Sequence, residues 1–132
     1  MISGGSLDTN VIVRLVTRDV EPLYERAKAL LENGNEFHVS ELAVSEAVYV
    51  LEKHYRYRRN VIAEGVGQFL KLPMIDSSKL NEQALSLWAD HPKLSFDDCL
   101  LSLQSPQPLW TFDKKLINQT EACPVPEVGV TS

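Results

Sequence analysis

Short strand-like runs alternate with longer helical periodicities along this chain, and that alternation restricts the fold more than any other feature. The runs "EFHV" (36–39), "LPMI" (72–75) and "PLWTFD" (108–113) are strand candidates, and "PVPEVGV" (124–130) is a weak last one. Helical spacing fills the intervals: residues 10–18, 21–34, 40–55, 59–72, 77–91, 95–104 and 114–119. Parallel strands need long crossovers, usually helical, so the pattern predicts an α/β domain with a parallel sheet. Ligands in such sheets bind beyond the carboxyl ends of the strands. Acids that follow strands are therefore the first candidates for chemistry.

Local signals mark several helix ends. Pro22 sits in the first turn of the second helix and Gly34 is its stop. Ser40 is placed to cap the third helix, and Ser77 or Ser78 the fifth. Ser95 and Asp98 have the spacing of a capping box. "SPQP" (105–108) breaks the sixth helix. Gly65 and Gly67 in the fourth suggest close packing.

The bulk numbers narrow the class. A chain of 132 residues fits one domain, 1–132. No apolar run approaches the ~20 residues of a membrane span. "MISGGSLDTN" lacks the basic and apolar segments of a secretory signal, which predicts a cytoplasmic protein. Cys99 and Cys123 are too few for a disulfide framework, and Cys99 is expected in a core. His38, His54 and His91 lack metal-ligand spacing, and neither a Gly-rich phosphate loop nor a G-x-S-x-G is present. The net charge of −5 argues against a general nucleic-acid coat protein. It leaves room for an enzyme that meets phosphate through a metal, which inverts the local field.

Acids stand at four places where such an enzyme would need them. Asp8 follows Leu7 and precedes "TNVIV"; alone it reads equally as an N-cap. Glu46 falls by helical spacing among Leu42, Ala43, Ala47 and Val50, inside an apolar stripe, so it needs a basic partner or a metal. Asp113 ends "LWTFD" and could cap the short helix after it. Asp97 and Asp98 open the helix 95–104, where acids also suit the helix dipole. Each acid is weak evidence alone. Converging, their hard oxygens suit Mg²⁺ or Mn²⁺. Basic residues cluster in "EKHYRYRRN" (52–60): Lys53, Arg56, Arg58 and Arg59 are either a solvated helix end or a landing site for phosphate or an acidic partner.

The blocks "LDTNVIVRLVTRD", "SELAVSEAVYVLEK", "SFDDCLLSL" and "LWTFDKKL" occur in the order expected of a PIN domain, and they resemble most the bacterial toxin branch called VapC. The resemblance implies an α/β/α sandwich around a parallel sheet of strand order 3-2-1-4-5. It implies metal-dependent endoribonuclease activity with Mg²⁺ or Mn²⁺. It places the carboxylates at Asp8, Glu46, Asp98 and Asp113, supported by Thr9, Asn10 and Thr111. Asp8, Asp98 and Asp113 would hold the metal, and Glu46 would help position it and the attacking water. Asp98 is favoured over Asp97, because the block reads Phe-x-Asp before a small residue and an apolar run. Arg14, Arg18 or the 53–59 cluster would position phosphates. Toxins of this branch commonly form homodimers and are inhibited by a cognate antitoxin that enters the acidic cleft.

The chain departs from the family pattern at Ser95, where an acid is common, and at "SGGSL", which supplies only Leu7 as an apolar residue of the first strand. Two alternatives stay open. One is a PIN nuclease of RNA processing outside a toxin–antitoxin pair. The other is a non-catalytic RNA- or protein-binding module.

Overall fold

The computed structural model describes residues 4–129. Among them the chain forms β1 (Gly5–Ser6), α1 (Thr9–Thr17), α2 (Glu21–Leu31), β2 (Phe37–Val39), α3 (Glu41–Lys53), α4 (Arg59–Leu70), β3 (Ile75–Ser77), α5 (Lys79–Asp90), α6 (Phe96–Gln104), β4 (Trp110–Thr111), α7 (Lys114–Gln119) and β5 (Cys123–Pro124). The α/β class read from the alternation is the class observed.

The expected strand order is met only in two pieces. β2 lies between β1 and β3, all parallel, with Gly5 opposite Phe37 and Phe37 opposite Ile75. β4 pairs with β5, also parallel, as a separate two-stranded sheet. The order 3-2-1 and the pair 4-5 are present, but no ladder joins β1 to β4. Both strands that would make that join are two residues long. Leu7 N–H goes to the His38 carbonyl on the β2 side, and β4 spends its pairing on β5, with Cys123 N–H bonding the Leu109 carbonyl and Val125 N–H the Thr111 carbonyl.

Other boundaries move for local reasons. β3 is not residues 72–75: Leu72–Met74 form a turn around Pro73, closed by Ile75 N–H on the Leu72 carbonyl, so Asp76 lies inside the strand. α2 ends at Leu31, before Gly34. The run 108–113 is no buried strand, because Trp110 is 56% and Phe112 83% exposed. The weak strand at 124–130 reduces to Cys123–Pro124, and Val130 lies outside the described residues, as do residues 1–3 of the amino-terminal segment. Gly67 has open space where a side chain would go, against the close packing expected there; a Cβ at Gly65 would meet Val16 of α1 at 3.4 Å.

Gly4 explains the weak first strand. A Cβ there would lie 2.5 Å from the Glu36 backbone carbonyl. β1 can approach β2 only because that position has no side chain.

The core is built from the inner faces of the helices and of β2. Ile12, Val39, Val44, Leu51, Ile62, Trp88 and Leu94 are fully buried, and Cys99 is too, as expected. α1 packs on α2, α3 and α4, while α5 packs on α4 and α6. The Trp88 and Phe96 rings meet edge to face at 6.3 Å, joining α5 to α6. Asn81 is also fully buried, and among the described residues no group pairs with either end of its amide. No described helix is long and apolar enough to cross a membrane.

Candidate active site

Asp8 occupies the N-cap of α1 with extended backbone, yet its side chain makes no capping bond. Its carboxylate is exposed and, among the described residues, ion-paired to nothing. Capping is therefore not what its side chain does.

The next residue reaches the second acid. Thr9 is buried, and its hydroxyl donates to Glu46 Oε2 at 3.1 Å, with the Ala43 carbonyl as the competing acceptor at 3.3 Å. Glu46 itself is exposed, contrary to its predicted place inside the apolar stripe. α3 buries Ala43, Val44, Ala47, Val48 and Leu51. Leu42, one turn before Glu46, and Tyr49, three residues after it, are 69% and 59% exposed. Glu46 thus lies between two apolar residues that the core leaves uncovered, and it needs no buried counter-ion.

The two acids of α6 have different work. Ser95 Oγ accepts from Asp98 N–H at 3.0 Å, and Asp98 Oδ2 accepts from Ser95 N–H at 3.0 Å, the capping box read from the sequence. That leaves Asp98 with one uncommitted oxygen. Asp97 is exposed and turns to α3, where its Oδ1 accepts from the Ser45 hydroxyl. Asp113 caps α7 through Oδ1, which accepts from Lys115 N–H at 2.8 Å, while its own N–H is held by Thr111 Oγ1 at 2.9 Å. Thr9 thus bonds the Glu46 carboxylate and Thr111 the Asp113 backbone. Asn10 is exposed on α1 and bonds to none of them.

Among the described residues, no three of the His, Cys, Asp and Glu side chains form a group that could hold a metal ion. The structure joins Thr9 to Glu46 and Ser45 to Asp97, but does not draw the four acids into one cluster. In kind the donors suit a hard cation: Asp8, Glu46, Asp98 and Asp113 are carboxylates, and none is in an ion pair among the described residues.

Three of the predicted phosphate contacts have other partners. Arg14 bonds Asp19 at 3.0 Å and the Tyr55 hydroxyl at 3.1 Å, and Asp19 raises its pKa further. Arg18 lies 4.1 Å over the Tyr24 ring. Arg59 pairs with Glu52 at 2.9 Å, stacks 4.6 Å over Trp88, and donates to the Trp88, His91 and Leu94 carbonyls. It fastens the turn that leads into α6. Lys53 makes only a 3.8 Å exposed contact with Glu52. Arg56 and Arg58 stay exposed between α3 and α4.

The family model for the PIN domain matches residues 6–117. The chain belongs to the PIN-domain family. The match runs from β1 into α7, and so encloses Asp8, Glu46, Asp98 and Asp113. No curated protein and no solved structure matches the chain significantly. PIN domains are generally metal-dependent nucleases, so at that coarse level the chain has a nuclease-type, hydrolytic function. Cys99 gives this PIN domain no competing nucleophile. Burial first, and the Asp98 charge second, push its thiol up to about 11, against a smaller opposing effect of Arg59.

Sequence reasoning missed Ser45, Lys93 and Lys115, which line one cavity together with Asp97. Only the short Asp113–Lys115 spacing hinted at one of them.

Proposed function

We propose that this chain, acting as one unit over 1–132, is an endoribonuclease that uses Mg²⁺ or Mn²⁺ to hydrolyse RNA phosphodiester bonds. The observation that carries the reading is the PIN match over 6–117 enclosing four carboxylates that, among the described residues, are in no ion pair. Asp8, Asp98 and Asp113 would hold the cation, with Glu46 completing the set. When bound, such a cation polarises a phosphoryl oxygen and makes water a stronger nucleophile near neutral pH.

The chain's own groups have separable roles. Thr9 orients Glu46 through its hydroxyl. The capping box fixes the direction of Asp98 at the start of α6. Thr111 holds the backbone that presents Asp113. Glu46 would accept a proton from attacking water through the oxygen that Thr9 does not claim.

Within this reading the protein is a VapC-like toxin of the cytoplasm, forms a homodimer and is inhibited by a cognate antitoxin. A DNA-binding antitoxin encoded beside it would separate that role from RNA processing outside a toxin–antitoxin pair. A second reading is a non-catalytic RNA- or protein-binding module, since among the described residues the carboxylates stand apart and do not form a group of three. RNA binding that persists in chelator, with no cleavage of any RNA, would select it.

Cleavage mapping on total RNA with and without Mg²⁺ or Mn²⁺, beside an Asp8→Asn control, tests the proposal. Cut ends should require both the cation and Asp8. Equal cutting by the variant would overturn the acid site.

A further inference from the structure

A cavity of about 290 Å³ opens between α3, the turn before α6 and α7, lined by residues within two positions of Glu46, Asp98 and Asp113. Its α3 wall carries Ser45, Tyr49 and Glu52, one stripe of the helix. Ser95 and Asp97 form the edge at α6, and Lys115 closes it from α7. Three of these are neighbours of a site acid in sequence or by hydrogen bond. Ser45 precedes Glu46, Ser95 caps with Asp98, and the Lys115 N–H is held by Asp113.

The charge of this cavity opposes that of the chain. Lys53, Arg59, Lys93 and Lys115 line it against only Glu52 and Asp97, in a protein of net charge −5. Glu52 is already matched by Arg59 at 2.9 Å. Asp97 is bonded to Ser45. Among the described residues, Lys93 and Lys115 form no ion pair. The free charge facing the cavity is therefore positive, and it suits an anion that continues past the acids.

Tyr49 adds a stacking face. It is 59% exposed, although a tyrosine ring gains by burial. His54, its one aromatic neighbour among the described residues, meets it edge to face at 6.1 Å and leaves ring surface open. The cavity is at the small end of ligand clefts, with room for one nucleotide and not for a duplex. Ammonium groups around an open aromatic ring are the combination that holds single strands, phosphates on the cations and a base on the ring.

We propose that this cavity binds the nucleotide next to the cleaved phosphodiester in single-stranded RNA, with its base on Tyr49 and its phosphate on Lys93 and Lys115. The assignment rests on the nuclease reading for the word "cleaved", and on this geometry alone for the binding. Stacking tolerates any base, so the subsite sets strandedness more than sequence.

Anisotropy of a short labelled oligouridylate in EDTA, titrated with the full chain across a salt series, tests it. Tyr49→Ala should weaken binding roughly tenfold or more. Lys93→Ala and Lys115→Ala should each lower the slope of log K against log salt by about 0.7. Lys79→Ala, on the exposed start of α5, should change neither. A duplex of the same length should compete poorly.

Unchanged affinity and slope in all three variants would overturn the subsite, as would equal competition by duplex or no binding by the wild type. Tighter binding of a polyglutamate peptide than of RNA would assign the surface to an acidic protein partner, and would overturn it too. The two proposals fail separately. Metal-dependent cutting with wild-type behaviour in these variants removes the subsite alone. Weakened binding in the variants, with no cutting by any form of the protein, removes the nuclease reading alone.

Discussion

The Thr9 hydroxyl ties to the Glu46 carboxylate at 3.1 Å, across 37 residues of chain. The hydroxyl has one proton and two acceptors in reach. The charged oxygen is also the nearer one, so it takes the bond. The residue after Asp8 thereby orients the acid of α3. Thr9→Val keeps the branched shape and removes the donor. Groups that orient metal-binding side chains typically matter about 10–100-fold. RNA cleavage by Thr9→Val should fall at least about tenfold in kcat/KM, by the same reasoning. The melting temperature should change little, because Glu46 is exposed and stays hydrated. Wild-type cleavage by the variant would show that the tether has no role in the chemistry.

Asp97 and Asp98 are separable by substitution. Asp98→Asn retains an oxygen for Ser95 N–H, so α6 keeps its cap while losing the carboxylate charge. Cleavage should fall below detection with stability held. Asp98→Ala should also lose the reciprocal capping bond, at about 1 kcal/mol in urea unfolding. Asp97→Ala releases Ser45 and should only modulate the rate. If Asp97→Ala abolishes cleavage and Asp98→Asn does not, the metal-binding acid lies one residue earlier.

Arg59 is the fastener of the α5–α6 turn. One guanidinium bonds the carbonyls of Trp88, His91 and Leu94, pairs with Glu52 and covers the Trp88 ring. Arg59→Met should destabilise the fold by on the order of 3 kcal/mol, since charge-assisted bonds are lost and carbonyls are left unpaired. Arg59→Lys should recover only part, because an ammonium lacks the planar fork that bonds and stacks at once. The urea midpoints of the three proteins measure this. Equal midpoints would return Arg59 to the solvent-facing basic cluster.

What could be read in the sequence was what depends on near neighbours. Ser40, Ser78 and Ser95 cap helices through bonds to residues two or three positions on, so spacing suffices to find them. Strands depend on distant partners. β1 and β4 are too short for a periodicity, and whether they pair was decided by the chain around them. Glu46 was misplaced because periodicity cannot tell an apolar face that the core covers from one it leaves open, and Leu42 and Tyr49 are of the second kind. Arg59 sat in a basic run, but the carbonyls it bonds lie 29 to 35 residues on. Lys93 and Lys115 share a cavity although no local pattern links them. The family blocks located the acids, yet blocks carry residue identity and not the distances between side chains.

Asp19 makes stability depend on acid pH. Tyr55 donates to its Oδ2 at 2.7 Å, Thr17 to its Oδ1 at 2.7 Å, and Arg14 lies 3.0 Å away. These bonds, led by that of Tyr55 and then Thr17, hold its carboxyl at about 2, below its ordinary 3.8. The same contact pushes the Tyr55 phenol up, so it remains a donor. A depressed carboxylate pKa favours the folded state. Its contribution is complete above 3.8 and is lost as pH falls toward about 2. Tyr55→Phe removes the leading donor. The melting temperature of the variant should lie below that of wild type by a constant gap at neutral pH, and the gap should close through that window. Added salt should narrow it, because the network is exposed. A gap that stays the same down to the lowest pH would place the effect of Tyr55 in ring packing and not in the Asp19 carboxylate.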